Sequence, residues 1–370
     1  MANTPDEPDL SPDSPPAKSS RSWLVGILGG VLTLVLVIGG LVVLSLGQFA
    51  ASLTAGLESG EGYEELVTRP GTANRKIAVI RVFGMINSYS IDGSGKSMVQ
   101  RIRDKLDLAG EDPAVRAVLI RIDSPGGEVM ASDEIHQSLV QFQKDHPEKP
   151  VICSMAGLAA SGGYYIAAAC PTIVAHELTL TGSIGVIFQT VNVRGLLDKV
   201  GLEPMTFKSG AFKDMMDSFK PPADITPAEK AMIQKIVDRT YDRFLDIVES
   251  GRARAAKLND SHARALAEDW KDHADGRVLT GGEAHDLGFV DQLGNFQDAV
   301  ALAEKLAKIS PGKARLIRYQ APVNLTGILR LFGKAAPSKP AEQSLKLDLG
   351  LPTPRLEPGR PYYLSPLTYR

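Results

Sequence analysis

Residues 114–129, AVRAVLIRIDSPGGEV, predict the unit from which the fold is built. The first ten residues are mostly apolar and β-branched, which is typical of a buried strand. The strand runs into a Ser-Pro-Gly-Gly turn, and a helix is expected at 132–144. A strand, a short turn and a helix in this order indicate right-handed βαβ crossovers and a largely parallel sheet.

The same alternation of strands and helices extends along the chain in both directions. Predicted strands lie at 76–86, 150–157, 172–182 and 204–210, and predicted helices at 98–108, after Ser161, at 226–251 and at 296–308. One face of the 226–251 helix is apolar and consists of Ile233, Val237, Tyr241, Phe244 and Val248. We therefore expect an α/β domain at 76–310, followed by an irregular C-terminal tail at 311–370.

The N-terminal part predicts an attachment to a membrane. Residues 1–20 are polar and Pro-rich and are expected to be disordered and cytoplasmic. Residues 23–46 carry no charge, which suits a transmembrane helix at 21–47 and is too long for the apolar core of a cleaved signal peptide. Lys18 and Arg21 precede this run and the next cation is Arg69, so the positive-inside rule predicts an extracytoplasmic body on a stalk at 48–75.

Composition excludes several classes of function. The formal net charge is −2 and no long basic block occurs, so nucleic acid is not an expected partner. Cys153 and Cys170 lie in apolar surroundings and are expected to be small buried side chains rather than a disulfide framework. The six histidines are scattered, so we expect no metal and no other cofactor.

The Ser-Pro-Gly-Gly turn is a candidate for stabilising an anion. Gly126 and Gly127 allow positive φ angles and can expose backbone N–H groups. An ordinary strand-to-helix turn explains the same residues equally well. The turn has neither the glycine spacing of a dinucleotide-binding loop nor the Gly-Lys-Ser/Thr of a P-loop.

Ser161 lies in GLAASGGYYIAAAC, residues 157–170, at a second predicted switch from strand to helix. A serine at this position is commonly a helix cap. It is also placed to act as a nucleophile, because a helix N-terminus stabilises developing negative charge on an oxygen. The residue two before it is Ala159, so the stretch is not the Gly-x-Ser-x-Gly elbow of a Ser-His-Asp hydrolase.

A lysine can replace histidine as the base that activates such a serine. It must then be neutral, which requires burial to lower its pKa from about 10.4 toward about 7–8. Lys208 and Lys213 both lie in an apolar segment, EPMTFKSGAFKDMMDSF, at 203–219. The residues alone do not choose between the two lysines, and both could equally extend into solvent.

Five motifs in one order, between about residues 76 and 306, resemble the signal peptide peptidase A family, which are family S49 serine peptidases. These motifs are RIDSPGG, MAGLAASGGYYIAAA, TGSIGVI, KSGAFKD and DGRVLTGGEAHDLGFVDQLG. The resemblance implies a Clp-protease/crotonase-like ββα superhelix, with Ser161 as nucleophile, Lys213 rather than Lys208 as general base, and Ser183 orienting Lys213. Gly127 and Gly162, with Gly126, are the candidate oxyanion donors. Phe212 departs from the polar or smaller residue common before the lysine, and we do not expect this change to disable the site.

The resemblance also implies a function and an assembly. It implies a single-pass endopeptidase of the bacterial cytoplasmic membrane, with its catalytic domain in the periplasm, that degrades remnant signal peptides and other membrane-derived peptides. Related peptidases form homo-oligomeric rings in which the serine and lysine can come from adjacent protomers. The Tyr-rich end PYYLSPLTYR is expected either to be disordered or to dock extended in a groove of the ring.

Two other classes of function fit parts of the sequence. A non-catalytic membrane scaffold of the same fold would not need Ser161, Lys213 or the Gly-Gly turn, yet all three are present. A crotonase-type acyl-CoA enzyme would share the oxyanion turn but would not need a membrane anchor or the Ser/Lys pair. Its cofactor is also cytoplasmic, in conflict with the predicted outward orientation.

Overall fold

The computed structural model describes residues 63–72, 74–90, 95–258, 263–320 and 362–364. The predicted disordered segment 1–20 and transmembrane helix 21–47 lie outside these ranges. Among the helices of the described residues, none combines the length and the apolar character that crossing a bilayer requires.

The strands follow one another along the chain with helices between them. They are β1 (Glu64–Arg69), β2 (Lys76–Phe83), β3 (Val115–Ser124), β4 (Gly126–Glu128), β5 (Val151–Ala159), β6 (Thr172–Ala175), β7 (Leu180–Gly182), β8 (Val278–Thr280), β9 (Gln292–Leu293), β10 (Arg315–Gln320) and β11 (Tyr362–Leu364). The helices are α1 (Met98–Glu111), α2 (Val129–Asp145), α3 (Gly162–Ala167), α4 (Arg194–Val200), α5 (Pro227–Leu258), α6 (Gly281–Asp286) and α7 (Phe296–Leu306). Short 3₁₀ turns occur at Pro222–Asp224 and Trp270–His273.

The main sheet has the strand order β1-β10-β2-β3-β5-β6-β9. The β1–β10 pair is antiparallel, whereas every other neighbouring pair on this path is parallel. Beside it, β7 pairs in parallel with β5 and antiparallel with β8. The prediction of an α/β fold with a largely parallel sheet is confirmed.

The sheet is buried on both faces, which explains the continuous apolar runs of its central strands. On β2, Ala78 and Ile80 pack in the larger core with α1, α2 and α3, whereas Ile77 and Val79 pack on the other side with α7. Alternate side chains of a strand point to opposite faces, so a strand covered on both sides is apolar at successive positions, as at residues 77–80 of β2. Cys153 and Cys170 are free and buried, as predicted.

Several predicted elements differ from the observed ones. The predicted strand 204–210 is irregular, and Met205 and Phe207 within it are 78% and 87% exposed. The predicted strand 172–182 is two strands, β6 and β7, with a turn closed by the Thr179 N–H on the His176 carbonyl. Helix α5 extends seven residues beyond the predicted end at 251, to Leu258.

The sheet also reaches beyond the predicted limits of the domain, 76–310. Strand β1 lies in the predicted stalk, and β10 lies in the segment predicted to be an irregular tail. These two strands pair with each other, and β10 pairs with β2. The partners are about 250 residues apart along the chain, so local patterning gives little sign of the pairing.

Candidate active site

The ends of three strands meet at the candidate site. The chain leaves β3 at Ser124 and β5 at Ala159, and Gly182 ends β7. The Ala160 N–H donates to the Ser124 carbonyl at 3.1 Å, and the Ser161 N–H donates to the Gly182 carbonyl at 2.8 Å. These bonds bring the Gly-Gly turn, Ser161 and Ser183 to one place, as expected for the carboxyl ends of neighbouring parallel strands.

Ser161 has a strained backbone and a buried hydroxyl. Its φ is 54° and its ψ −117°, a conformation that a residue with a side chain rarely adopts. Such strain costs on the order of 1–3 kcal/mol and persists only where the surroundings impose it, here through the bond to Gly182. The residue is fully buried, and its Oγ has no hydrogen-bond partner within the described residues.

The interpretation of Ser161 as a helix cap is wrong. Ser161 occupies the N-cap position of α3, but its side chain makes no capping hydrogen bond. An N-cap residue normally lies in the β region and directs its oxygen at the N–H groups of the first turn. At φ 54° the hydroxyl of Ser161 is instead left unpaired beside the helix N-terminus, which suits a nucleophile.

The Gly-Gly turn is a short strand fixed to a neighbouring segment. The Ile86 N–H donates to the Gly126 carbonyl and the Glu128 N–H donates to the Ile86 carbonyl, both at 2.9 Å. Gly126 has φ +106°, and a Cβ on Gly127 would lie 1.9 Å from the Ile86 oxygen. Both positions therefore require glycine.

Gly127 and Gly162 are neighbours, as the predicted oxyanion hole requires. A Cβ on Gly162 would lie 3.2 Å from the Gly127 nitrogen. The third predicted donor is less suitable, because the Gly126 N–H already donates to Ser124 Oγ at 3.1 Å. Gly127 and Gly162 are thus the better candidates to donate to a developing oxyanion.

Ser124 has a role that the sequence analysis missed. Its hydroxyl donates to the Gly84 carbonyl at 2.6 Å and accepts from the Gly126 N–H, so it shapes the turn from both sides. The available signal was a serine two residues before the glycine pair, a position from which serine commonly hydrogen-bonds nearby backbone.

A backbone hydrogen bond places Ser183 near Ser161. It directly follows Gly182, which accepts the Ser161 N–H, and its own N–H donates to the Arg277 carbonyl at 2.7 Å. Ser183 is buried and has a φ of 49°. Strained residues cluster at functional sites, so two neighbouring serines with positive φ support a functional site here rather than two unrelated turns.

The two candidate lysines are in different situations. Lys208 forms an ion pair with Asp214 at 2.7 Å and also donates to the Ala211 carbonyl. Lys213 lies on an exposed turn, and within the described residues it has neither an ion pair nor a hydrogen bond to Ser161 or Ser183. The apolar side chains expected to bury it, such as Met205 and Phe207, are largely exposed in the single chain.

The Gly-Gly strand carries a segment from the far end of the chain. Strand β11 pairs antiparallel with β4, with Tyr363 opposite Gly127 and Leu364 opposite Gly126. An extended segment thus lies along the residues that carry the candidate oxyanion donor. This arrangement agrees with the expectation that the C-terminal end docks in an extended form, here within one chain.

Titratable groups outside this site do not form a metal centre. Within the described ranges, no three His, Cys, Asp or Glu side chains are grouped so as to hold a metal ion. His136 is buried against Tyr165, with ring centroids 5.5 Å apart, and burial lowers the pKa of His136 to about 4. Arg252 and Asp291 form a buried ion pair that links α5 to the segment after α6.

Comparisons with known proteins identify the family. A family model described as peptidase family S49 matches residues 143–310. The chain is 37% identical over 262 residues to a Synechocystis sp. protein provisionally named protease slr0021. This alignment covers 71% of the present chain and 84% of the Synechocystis protein. It is 33% identical over 311 residues to an Enterococcus faecium protein provisionally named signal peptide peptidase SppA. This alignment covers 82% of the present chain and 85% of the relative. It is 32% identical over 265 residues to the chloroplastic serine protease SPPA of Arabidopsis thaliana, with coverages of 70% and 37%. The chain belongs to peptidase family S49 and is a serine peptidase.

Proposed function

We propose that the protein is a membrane-anchored endopeptidase of Clp-protease/crotonase-like fold that uses a Ser/Lys dyad. Ser161 is the nucleophile, Lys213 the general base, and Ser183 the residue that orients the lysine. The observation that carries the proposal is the buried, unpartnered hydroxyl of Ser161, held on a strained backbone beside Gly127 and Gly162.

The residues divide the chemistry of peptide cleavage among them. Ser161 Oγ attacks the peptide carbonyl while a neutral Lys213 accepts its proton, and the carbonyl oxygen becomes negatively charged. The Gly127 and Gly162 N–H groups stabilise that oxygen. Lys213 then gives the proton to the departing amine, and water releases the acyl group from Ser161 by the same steps in reverse order.

We infer that Lys213 reaches Ser161 across an interface between two copies of the chain. In one copy Lys213 is exposed, and the segment around it carries many exposed apolar side chains. These are Val191, Leu196, Val200, Leu202, Met205, Phe207, Phe212 and Phe219. An exposed apolar surface of this kind favours association, and association would both bury the lysine and complete the site. A closed ring is the simplest assembly in which each copy gives its lysine to one neighbour.

The substrates proposed are extended, apolar peptides released at a membrane, above all remnant signal peptides. Support comes from β4, which pairs with an extended segment of the chain itself. A peptide bound as an added strand presents its backbone carbonyls to N–H groups along the edge. The uncharged run 23–46 supports an anchor in the bacterial cytoplasmic membrane with the peptidase domain on the periplasmic side.

Complementation between inactive variants tests the shared site. The full-length chain is assayed in detergent on an internally quenched peptide with the apolar core of a signal peptide, as wild type, Ser161→Ala, Lys213→Ala and Ser183→Ala. Each of the first two variants alone is expected to be inactive. In a 1:1 mixture of these two, reassembled together, about a quarter of the interfaces in a ring combine an intact serine with an intact lysine, so about a quarter of the wild-type rate returns.

Each component of the proposal has its own contrary result. Activity in Ser161→Ala or Lys213→Ala would exclude the dyad. No recovery in the reassembled mixture would place both residues in one chain. Lys230→Ala is the control for Lys213→Ala, because it removes an exposed lysine that forms no ion pair in the described part of the chain.

A further inference from the structure

The segment that carries Lys213 is held mainly by charged side chains. From Leu202 to Phe219 it has no regular secondary structure, and its backbone hydrogen bonds are mostly local turns, such as Met215 N–H to the Phe212 carbonyl at 3.0 Å. One longer backbone bond joins the Val193 N–H to the Ser218 carbonyl at 2.9 Å. The position of the lysine therefore depends on other contacts.

Asp214 is the centre of a chain of ion pairs. Its Oδ1 lies 2.7 Å from Lys208 Nζ, and its Oδ2 lies 3.4 Å from Lys220 Nζ. Lys220 also pairs with Glu229 Oε1 at 2.6 Å. The side chains of Asp214, Lys220 and Glu229 are 12%, 11% and 3% exposed and so largely shielded from solvent, whereas that of Lys208 is 36% exposed.

Glu229 fixes the far end of this chain to a rigid element. It lies in the first turn of α5, where its Oε2 accepts from the Thr226 N–H at 2.7 Å and its own N–H donates to Thr226 Oγ1 at 3.2 Å. This reciprocal pair is a capping box, which orders the start of a helix. Lys220 is thus held between a fixed carboxylate and Asp214.

Asp214 directly follows Lys213, so its carboxylate would oppose the function of a catalytic lysine if the two side chains paired. A carboxylate within about 4–6 Å of an ammonium group favours the charged form, whereas a general base must be neutral. Each oxygen of Asp214 instead lies near the ammonium group of another lysine, Oδ1 at 2.7 Å from Lys208 Nζ and Oδ2 at 3.4 Å from Lys220 Nζ. These lysines, Lys208 first, hold the pKa of Asp214 below its usual value.

We propose that Lys208 and Lys220 are positioning residues for the base: they hold the Asp214 carboxylate in ion pairs and so prevent it from pairing with Lys213. The inference rests on the proposed role of Lys213. It gives a physical reason why three lysines in thirteen residues have different roles. Two are engaged by carboxylates, and the third forms no ion pair in the described part of the chain.

Other charged groups around this turn are accounted for. Asp217, which shares a depression of about 340 Å³ with Lys208 and Lys213, accepts the Phe219 N–H at 2.9 Å. On α4, Arg194 pairs with Asp198 at 2.8 Å. Two further carboxylates lie in this region: Glu203 in the segment itself, and Asp224 on the 3₁₀ turn before α5.

The test is the pH dependence of kcat/KM for the full-length chain on the quenched peptide. Wild type, Lys220→Met and the double variant Lys220→Met/Asp214→Asn are compared. Lys220→Met frees one oxygen of Asp214, so the rising limb of the profile should move about one pH unit to higher pH. Below the midpoint this is a loss of about tenfold, with the plateau unchanged. Removing the carboxylate in the double variant should return the midpoint to that of wild type.

Two controls separate this effect from a structural one. Lys230→Met removes the exposed lysine that follows Glu229 in the first turn of α5. Lys230 forms no ion pair among the described residues, so this variant should leave the midpoint of the pH profile unchanged. A lower plateau with an unmoved midpoint in Lys220→Met, or no recovery in the double variant, would overturn the inference. Activity in Lys213→Ala would instead show that the proposed base is wrong, which is a separate failure.

Discussion

Gly162→Ala should inactivate the enzyme while leaving it folded. A Cβ at this position would lie 2.6 Å from Ser132 Oγ and 3.2 Å from both Gly126 Cα and the Gly127 nitrogen. An oxyanion must lie about 2.7–3.1 Å from its donors. The added methyl group therefore competes for the space in front of the Gly127 N–H, or moves the turn that carries it.

The expected loss is that of one oxyanion donor, about 10²–10³ in kcat, or about 2.7–4 kcal/mol in transition-state stabilisation. Stability should change much less. Alanine is favoured over glycine within a helix by up to about 1 kcal/mol, which offsets part of the tight contact in the first turn of α3. The assay is kcat/KM on the quenched peptide, beside the free energy of unfolding in urea.

Two further variants test whether the loss of activity comes from the oxyanion hole. Gly157→Ala is the matched control, since a Cβ on this glycine of β5 meets nothing within 4 Å and should leave activity unchanged. Adding Ser132→Ala to Gly162→Ala removes the nearest clash but not the contact with Gly127. Wild-type activity in Gly162→Ala would refute the oxyanion assignment, and full recovery in the double variant would assign the loss to Ser132 instead.

Three further predictions concern stability and access to the site. Arg252→Met should cost about 3–5 kcal/mol in urea unfolding because it leaves the buried Asp291 unpaired; an unchanged midpoint would contradict it. Burial lowers the pKa of His136 from 6.5 to about 4, so the unfolded chain binds more protons between these values. Stability should therefore fall by up to about 3 kcal/mol as the pH drops from about 6.5 to 4, and His136→Leu should remove this dependence. Deleting residues 362–370 removes the strand on Gly126–Glu128 and should raise the initial rate on the quenched peptide; an unchanged rate would mean that this strand does not compete with substrate.

The central strands could be predicted from sequence because their burial is local in origin. Strands β2, β3 and β5 are covered on both faces, and each contains a run of consecutive apolar residues, at 77–80, 117–120 and 151–153. The 204–210 segment has a similar local pattern, yet nothing in the described chain pairs with it. In contrast, the more polar β10 is a strand because β1 and β2 flank it. Whether such a segment is a strand depends on distant partners.

The choice between the two lysines shows what the structure adds to a resemblance. The apolar surroundings in the sequence favoured neither Lys208 nor Lys213, and the order of motifs selected Lys213. In the structure, Lys208 is paired with Asp214 at 2.7 Å, whereas Lys213 forms no ion pair in the described part of the chain. The sequence left open whether nearby apolar residues bury the lysine, and in one chain Met205 and Phe207 are largely exposed. In the proposed assembly a second copy supplies this burial, which local composition does not encode.

The strained backbone conformation of Ser161 bears on its proposed role as nucleophile. As a cap, its hydroxyl would have used the N–H groups at the start of α3, and neither the serine nor the helix end would be available to a substrate. The positive φ turns the side chain away from this role, and the bond from its N–H to Gly182 holds it there. In the proposed mechanism, the N-terminus of α3 then stabilises the oxyanion beside Gly127. The strained backbone of Ser161 thus keeps the proposed nucleophile separate from the N–H groups proposed to stabilise the charge that its attack creates.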